Sequence, residues 1–358
     1  MGKRLLITGG AGFVGSSLAL LFRESYPDWH IVSFDNLRRR GSELNLERLR
    51  RRGIHFCHGD VRNRSDLDAV GQVDTIIECS AEPSALAGLD GAAAYVVDTN
   101  LVGTINCLEL ARRHQAELVF LSTSRVYPYG ALNALPCRET PTRFEWQLDR
   151  TFAGLSPQGV AEDFPLDGTR TLYGATKLCA ELLINEYVSL YNLHTIINRC
   201  GVLAGPWQMG KVDQGVAVLW VARHHFEGPL SYIGFGGNGK QVRDFLHVED
   251  LFDLLQIQLH NVAAHTGQVY NVGGGRECSA SLLELTGLCR QATGKTISIG
   301  IETSTRPGDV RIYLTDTSKV RTALPWKPRW TIERIIESIA GWIRDHENAL
   351  RPILGSGM

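Results

Sequence analysis

The first 125 residues alternate short apolar runs with longer amphipathic ones, and this alternation restricts the chain to one class of fold. The short runs are apolar or β-branched with hardly any polar residues between, which is typical of strands buried on both faces. Strands are predicted at 4–8, 31–35, 54–57, 75–78 and 118–123, with helices at 13–24, 42–52, 65–70 and 92–113. This repetition predicts a doubly wound α/β fold, in which helices cover both faces of a parallel sheet.

Composition narrows the range of partners. Lysine and arginine total 37 against 38 aspartates and glutamates. The chain therefore lacks the excess of basic residues that is expected of a protein that binds nucleic acid or an anionic membrane. No apolar stretch approaches the roughly 18 residues that span a bilayer, and the first apolar run is too short for a signal-peptide core. The eight cysteines are all more than ten residues apart, a spacing that predicts neither a metal site nor a disulfide framework. We therefore expect a soluble, cytoplasmic protein without a metal.

Three glycines follow the first predicted strand directly and open the first predicted helix. Gly9, Gly12 and Gly15 permit a tight turn, close approach of the backbone to a diphosphate, and close packing of helix on strand. The helix that begins at Phe13 and Val14 then presents free N–H groups and a partial positive charge to the phosphates. This pattern predicts a dinucleotide site.

A carboxylate at the end of the second predicted strand bears on which dinucleotide binds. Asp35, twenty residues after the last of these glycines, is placed to accept hydrogen bonds from the ribose hydroxyls, and its charge would repel a 2′-phosphate. We therefore predict NAD, although the arginines at 38–40 keep NADP open as an alternative. Asp60 follows the third strand and is placed to meet the adenine ring, unless it serves only as a helix cap.

A tyrosine and a lysine four residues apart lie on a predicted helix over 172–191. Tyr173 and Lys177 would share one helix face, where the ammonium would lower the pKa of the phenol and fit it for acid–base catalysis. Thr123 ends the fifth predicted strand, at the sheet edge where ligands bind in such folds. Its hydroxyl can hold the substrate oxygen that Tyr173 deprotonates, or it can simply belong to a turn-forming Ser/Thr cluster.

Taken in this order and spacing, the three features resemble the extended short-chain dehydrogenase/reductase family of nucleotide-sugar enzymes. The resemblance covers nearly the whole chain, since family motifs also recur at 100–104, 243–250, 270–273 and 306–309. It implies a Rossmann-type sheet with a smaller C-terminal α/β substrate lobe, bound NAD, and a homodimer or homotetramer. It adds cofactor residues at Asn36, Val61, Ser80, Ala81 and Asn100, and substrate residues at Ser84, Ser124, Arg125, Cys200, Gln214, Arg243 and Arg306. By resemblance, Arg243 and Arg306 would clamp the substrate diphosphate, a task that suits guanidinium geometry.

The resemblance also sets domain bounds. The NAD-binding domain is expected over 1–198 with 242–272 returning to it, the substrate lobe over 199–241 and 273–346, and a loose tail over 347–358. Within the NAD-binding domain lies 128–171, a proline-rich stretch whose length indicates a functional loop. Further strands are predicted at 195–199, 242–247 and 268–272, and further helices at 249–260, 279–293 and 331–348.

Details within the family favour one branch. Dehydratases of the family carry Asp-Glu directly after the catalytic threonine, where this chain has Ser124 and Arg125, so dehydration is disfavoured. The segments 212–215 and 239–244 resemble the branch that epimerises CDP-linked sugars at C2. Two positions depart from common family residues: Val202 replaces an asparagine and Glu78 replaces a histidine.

The expected activity is thus NAD-dependent epimerisation of a nucleotide sugar at C2 of a CDP-linked hexose or dideoxyhexose, through a transient keto-sugar. Epimerisation of a UDP-sugar at C4 is an alternative that uses the same catalytic residues. A non-catalytic NAD-binding scaffold or sensor is a third, which the presence of Thr123, Tyr173 and Lys177 disfavours.

Overall fold

Strands and helices alternate through the first part of the chain and give way to shorter strands after residue 126. The computed structural model describes residues 2–84, 86–89, 91, 93–210 and 214–355. The strands are β1 (Arg4–Thr8), β2 (His30–Asp35), β3 (His55–His58), β4 (Thr75–Glu78), β5 (Glu117–Thr123), β6 (Cys137–Glu139), β7 (Phe144–Trp146), β8 (Leu155–Ser156), β9 (Gly159–Val160), β10 (Thr195–Cys200), β11 (Val202–Ala204), β12 (Leu230–Ile233), β13 (Val242–His247), β14 (Gln268–Val272), β15 (Ser279–Ser281), β16 (Ile299–Glu302) and β17 (Ile312–Tyr313).

The α-helices confirm most of the predicted helical segments. They are α1 (Phe13–Ser25), α2 (Leu44–Arg51), α3 (Arg64–Asp68), α4 (Ala93–Val97), α5 (Gly103–His114), α6 (Tyr129–Ala134), α7 (Leu172–Tyr191), α8 (Val216–Phe226), α9 (Val248–His260), α10 (Leu282–Thr293), α11 (Ser318–Ala323), α12 (Ile332–Asp345) and α13 (Glu347–Leu350). Within the described residues, no helix is long and apolar enough to cross a bilayer.

A seven-stranded sheet organises the first of two compact units, which comprises 1–126, 172–200 and 251–270. Its strand order is β14-β10-β5-β4-β1-β2-β3, and the neighbours from β10 to β3 pair in parallel. The chain proceeds outward from β1 to β3 and then returns to β4 on the other side of β1. Strand order therefore reverses between β1 and β4, and folds of this kind bind ligands at the carboxyl ends of the strands at that point. The predicted doubly wound fold is confirmed.

The core of this unit explains why its strands carry so few polar residues. Ile76, Leu118 and Phe120 from the middle of the sheet pack in one cluster with Leu108 of α5 and Ile184 of α7, and each of these side chains is fully buried. Because helices cover the sheet, alternate side chains on both faces enter apolar surroundings, and each large one contributes about 1.5–3 kcal/mol to stability.

The second unit comprises 127–171, 201–250 and 271–358. It contains a four-stranded sheet of β11, β13, β15 and β17, a parallel β12–β16 pair, and the antiparallel pairs β6–β7 and β8–β9. The proline-rich stretch predicted to lie within the first domain belongs to this unit instead. The reason is backbone pairing: the N–H of Phe144 donates to Lys240 O at 2.9 Å and that of Val160 to Leu314 O at 2.8 Å. The residues at 242–250, predicted in the first domain, also cluster with the second unit.

Two predictions about the C-terminal half are wrong. The helix predicted at 279–293 begins only at Leu282, because Ser279–Ser281 forms β15 against β13. Ser281 and Glu284 then form a capping box, in which each side chain accepts the backbone N–H of the other. The tail predicted to be loose is instead helical over Glu347–Leu350 and Arg351–Gly355, with Leu350 and Leu354 buried. Its last three residues, 356–358, lie outside the described residues.

A buried carboxylate in β13 should make folding depend on pH. Burial raises the pKa of Asp244 from its ordinary 3.8 to about 6, against the opposing effects of the Thr315 hydroxyl and the Gly275 N–H, which lies 3.0 Å from Oδ2. Because the pKa is raised in the folded protein, this carboxyl favours folding below about pH 4, and the contribution is lost as pH rises through 6. The difference amounts to about 3 kcal/mol.

We therefore expect wild type to lose about 3 kcal/mol more unfolding free energy between pH 4 and pH 8 than Asp244→Asn does. Urea titrations at each pH measure this difference. Asp345→Asn, which alters an exposed aspartate of the same unit, should follow the wild-type pH dependence. Parallel pH profiles for wild type and Asp244→Asn would contradict the prediction.

Candidate active site

The glycine turn between β1 and α1 has the geometry of a phosphate cradle. Gly9 has φ +62°, in the left-handed region, and its carbonyl accepts the N–H of Gly12 at 3.0 Å. A Cβ on Gly15 would lie 2.3 Å from Gly9 O, so the close contact between helix and turn requires glycine there. Gly12 makes no side-chain cap on α1, which leaves the first N–H groups of the helix, at Phe13 and Val14, without an intrahelical partner. This uncapped terminus fits the diphosphate of NAD.

Asp35 connects the second strand to the glycine turn. Its Oδ2 accepts the N–H of Ala11 at 3.1 Å and its Oδ1 that of Leu37 at 2.7 Å. Burial raises the pKa of Asp35, and these backbone hydrogen bonds act in the opposite direction. The Arg38 guanidinium lies 3.9 Å from the centre of the Tyr95 ring. Arg38, one of the arginines that left NADP as an alternative cofactor in the sequence analysis, is therefore stacked on Tyr95.

The residues predicted at the adenine end form a hydrogen-bonded group. The Asn36 amide donates to Asp60 Oδ2 at 2.9 Å, and Arg62 donates to both oxygens of Asp60 at 2.9 and 2.7 Å. The Arg62 guanidinium holds the pKa of Asp60 at about 2, so this side chain stays a carboxylate. Val61, the next residue, is buried. It packs so closely on Gly103 that a Cβ at that glycine would lie 2.7 Å from Val61 Cγ2.

Asn100 does not lie in a continuous helix, as the predicted helix at 92–113 would require. That segment begins at a residue outside those described, and it is interrupted by a π-helical turn at Asp98–Val102. Within this turn, the Asn100 amide exchanges hydrogen bonds with the backbone of Glu82, at 2.8 and 3.2 Å, and donates to the Thr176 hydroxyl at 3.2 Å. These contacts hold the loop after β4, which carries Ser80 and Ala81, against α7. The Asn100 amide is thus engaged by the loop after β4 and by α7, and neither Glu82 nor Thr176 was predicted from the sequence.

The predicted catalytic threonine and tyrosine come together at the carboxyl end of β5. Tyr173 lies in the first turn of α7, close enough to the Thr123 hydroxyl for that group to act on the pKa of the phenol. Gly174 makes this approach possible, because a Cβ there would lie 2.1 Å from Arg125 O. Burial raises the pKa of Tyr173 to about 12, while the Thr123 hydroxyl and the charge of Arg125 act to lower it.

Lys177 makes a different contact from the one predicted. Its Nζ lies 3.6 Å from Glu78 Oε2 and 3.9 Å from the centre of the Phe120 ring. The expectation that its ammonium lowers the pKa of Tyr173 is therefore not reproduced by this geometry, in which the lysine pairs with a carboxylate. Sequence reasoning noted Glu78 only as a departure from the family and assigned it no role.

The predicted substrate residues are divided between the two units. Ser84, Ser124, Arg125 and Cys200 belong to the first unit; Cys200 and Ser84 are buried, and the Arg125 N–H donates to Thr123 Oγ1 at 3.1 Å. Gln214, Arg243 and Arg306 belong to the second. Residues 212 and 213 of the quoted 212–215 motif lie outside the described residues.

The two predicted diphosphate arginines share one aspartate. Arg243 forms an ion pair with Asp309 at 2.6 Å, and the N–H of Asp309 donates to Arg306 O at 3.2 Å across a turn in which Gly308 has φ +77°. The Arg243 side chain therefore reaches the turn at 306–309, which contains Arg306.

A sheet with its order reversed at β1 and β4, an uncapped glycine turn, and a Thr–Tyr–Lys set on β5 and α7 together define a dinucleotide-dependent dehydrogenase/reductase-type enzyme. A profile of the "NAD dependent epimerase/dehydratase family" matches residues 5–273. The chain belongs to this family and is an NAD-dependent enzyme.

Individual relatives agree with this assignment. The chain is similar to CDP-paratose 2-epimerase of Salmonella typhi, with 31% identity over 95% of this chain and 98% of the relative. It is 28% identical to dTDP-glucose 4,6-dehydratase of Streptomyces niveus, over 98% of this chain and 95% of that one. The crystal structure of dTDP-glucose 4,6-dehydratase from Bacillus anthracis in complex with NAD superimposes with a TM-score of 0.76 at 26% identity, covering 98% of this chain and 100% of that one.

Proposed function

We propose that this enzyme epimerises a nucleotide sugar at C2, on a CDP-linked hexose or dideoxyhexose, through a transient keto-sugar. The observation that carries the proposal is the placement of Thr123 at the carboxyl end of β5 beside Tyr173 in the first turn of α7, next to the reversal of strand order. In this arrangement Tyr173 removes the proton of the sugar hydroxyl while Thr123 holds the same oxygen. The glycine turn and Asp35 would hold NAD, which would supply hydride transfer in both directions, and the configuration inverts because the keto-sugar turns in the site between the two transfers. Tyr173 then returns the proton.

The residues after Thr123 support epimerisation over dehydration. Loss of water from the sugar requires an acid and a base beside the reacting carbons. Ser124 and Arg125 supply neither at neutral pH, since a serine hydroxyl ionises too rarely and a guanidinium retains its proton. Their backbone turn instead places the Arg125 N–H on Thr123 Oγ1.

The assignment to a CDP-linked sugar rests on the similarity to the Salmonella 2-epimerase, which extends over nearly both chains. The contact of Arg243 adds support from chemistry. Arg243 now faces the Asp309 carboxylate at 2.6 Å, an anion that a diphosphate oxygen can replace with the same geometry. Epimerisation of a UDP-sugar at C4 uses the same Thr123 and Tyr173, so the experiment below distinguishes the two.

Proton NMR of the purified protein in D₂O, with CDP-paratose, CDP-glucose and UDP-glucose as separate substrates, tests the proposal. We expect a C2 epimer of a CDP-sugar without deuterium on carbon, because the hydride returns internally. A C4 epimer would retain the chemistry and overturn the position of attack. A 4-keto-6-deoxy product with deuterium at C5 would establish dehydration, and tightly bound NAD without turnover of any sugar nucleotide would overturn catalysis.

A further inference from the structure

Glu78 is a fully buried carboxylate at the centre of the sheet. It ends β4, in register with Thr8 of β1 on one side and Phe120 of β5 on the other, at the point where strand order reverses. Its side chain is 0% exposed, and neither carboxylate oxygen is within hydrogen-bonding distance of a donor among the described residues. Burying a carboxylate is costly unless an opposite charge compensates it.

The compensating charge comes from α7. The side chain of Lys177 is only 2% exposed, and its Nζ lies 3.6 Å from Glu78 Oε2 and over the ring of Phe120. A lysine normally extends its ammonium to water, so a fully enclosed one requires a counter-ion. Glu78 supplies that counter-ion. Because Lys177 follows Tyr173 by one turn of α7, the ion pair links Glu78 to the helix that carries Tyr173.

We propose that Glu78 is a positioning residue of the active site: its carboxylate fixes the Lys177 ammonium in the sheet centre, one helical turn from Tyr173, and its own charge acts on that phenol. The inference rests on the catalytic role proposed for Tyr173 and on the contacts of Lys177. It goes beyond them because Glu78 contacts neither substrate nor cofactor in this mechanism and acts only through the lysine and through its own charge.

The groups around Tyr173 define what removal of this carboxylate does. Thr123 of β5 and Arg125 of the turn after it lower the pKa of Tyr173, whereas Cys200 of β10 and Glu78 of β4 raise it. Around Glu78 itself lie Lys177 and the Ser80 N–H, which lower its raised pKa; the thiols Cys79 and Cys107 are also within its electrostatic reach. Neutralising Glu78 therefore removes an influence that raises the pKa of Tyr173, and the phenol should ionise at lower pH.

The test is a titration of Tyr173 in the holoenzyme, which requires no sugar. Tyrosines labelled with ¹³C at Cζ report ionisation, and the resonance absent from Tyr173→Phe belongs to Tyr173. In Glu78→Gln we expect this resonance to titrate at lower pH than in wild type, and the acid limb of kcat to move in the same direction. Glu78→Asp, which retains the charge, should restore both toward wild type. An unchanged or higher midpoint in Glu78→Gln would overturn the inference.

Glu186→Gln is the matched control. It makes the same substitution at an exposed position of α7 and should leave the Tyr173 titration in place. If Glu78→Gln fails to fold, the double variant Glu78→Gln/Lys177→Met should fold, since both buried charges are then removed together; failure of the double variant to fold would overturn the pairing. Near-normal turnover by Tyr173→Phe would overturn the proposed function, whereas an inactive Tyr173→Phe with an unmoved Glu78→Gln titration would overturn only the role of Glu78.

Discussion

Replacing Tyr173 with phenylalanine should lower kcat by about 10²–10⁴-fold, the usual contribution of a positioned acid–base group. The substitution removes one oxygen and keeps the ring, so the packing of α7 against β5 is retained. The phenol hydroxyl of Tyr173 lies beside Thr123, and burial raises its pKa to about 12. Such a phenol is a strong base once ionised, and its loss leaves Thr123 to hold the substrate oxygen without a group to take the proton.

The NAD content of the purified Tyr173→Phe protein should stay at the wild-type level, because the glycine turn and Asp35 are unaltered. Absorbance of the cofactor released on denaturation measures this, alongside kcat from the NMR assay. Tyr187→Phe provides the control: it is the same substitution on the same helix, where the hydroxyl donates only to Glu109 at 2.7 Å. Loss of kcat in Tyr187→Phe, or wild-type kcat in Tyr173→Phe, would remove Tyr173 from the catalytic role.

Much of the sheet was predictable because its determinants are local. A strand buried on both faces requires a continuous apolar run, and the strands predicted at 4–8 and 75–78 coincide with β1 and β4. The glycine turn was predictable for the same reason, since Gly9 requires a left-handed φ and Gly15 a missing Cβ. The helix predicted at 172–191 matches α7 and carries Tyr173 to the end of β5.

The remaining features depend on which residues tertiary packing brings together. Glu78 and Lys177 are 99 positions apart, so no local pattern indicates that they pair. The tail at 347–355 is helical because Leu350 and Leu354 find an apolar surface in the fold, although the sequence pattern there is weak. In the same way, the backbone of Ser279–Ser281 pairs as a strand with β13. The sequence pattern alone predicted these residues as the first turn of the helix that follows.

A second buried ion pair, one helical turn further along the same face of α7, should contribute strongly to stability. Arg199 of β10 donates to Glu181 of α7 through Nε, at 3.2 and 3.1 Å, and through a terminal nitrogen at 2.7 Å, while the Ser122 hydroxyl donates to the same carboxylate. The side chains of Arg199 and Glu181 are 6% and 3% exposed. Pairing of β10 with β5 places Arg199 opposite Ser122, so strand register and helix position both depend on this cluster.

Arg199→Met keeps most of the side-chain length and leaves the Glu181 carboxylate buried without its cation. Removing one partner of a buried pair costs about 3–5 kcal/mol, and we expect a loss of this size in the free energy of unfolding of the holoprotein, measured by circular dichroism in urea. The double variant Glu181→Gln/Arg199→Met should recover most of the loss, because no unpaired charge remains buried.

Arg50→Met breaks an exposed pair with Glu47 and should unfold at the wild-type urea concentration. Unfolding of Arg199→Met at that same concentration would show that the buried pair contributes nothing to stability, and a double variant no more stable than Arg199→Met would show that the loss comes from packing rather than from the unpaired carboxylate.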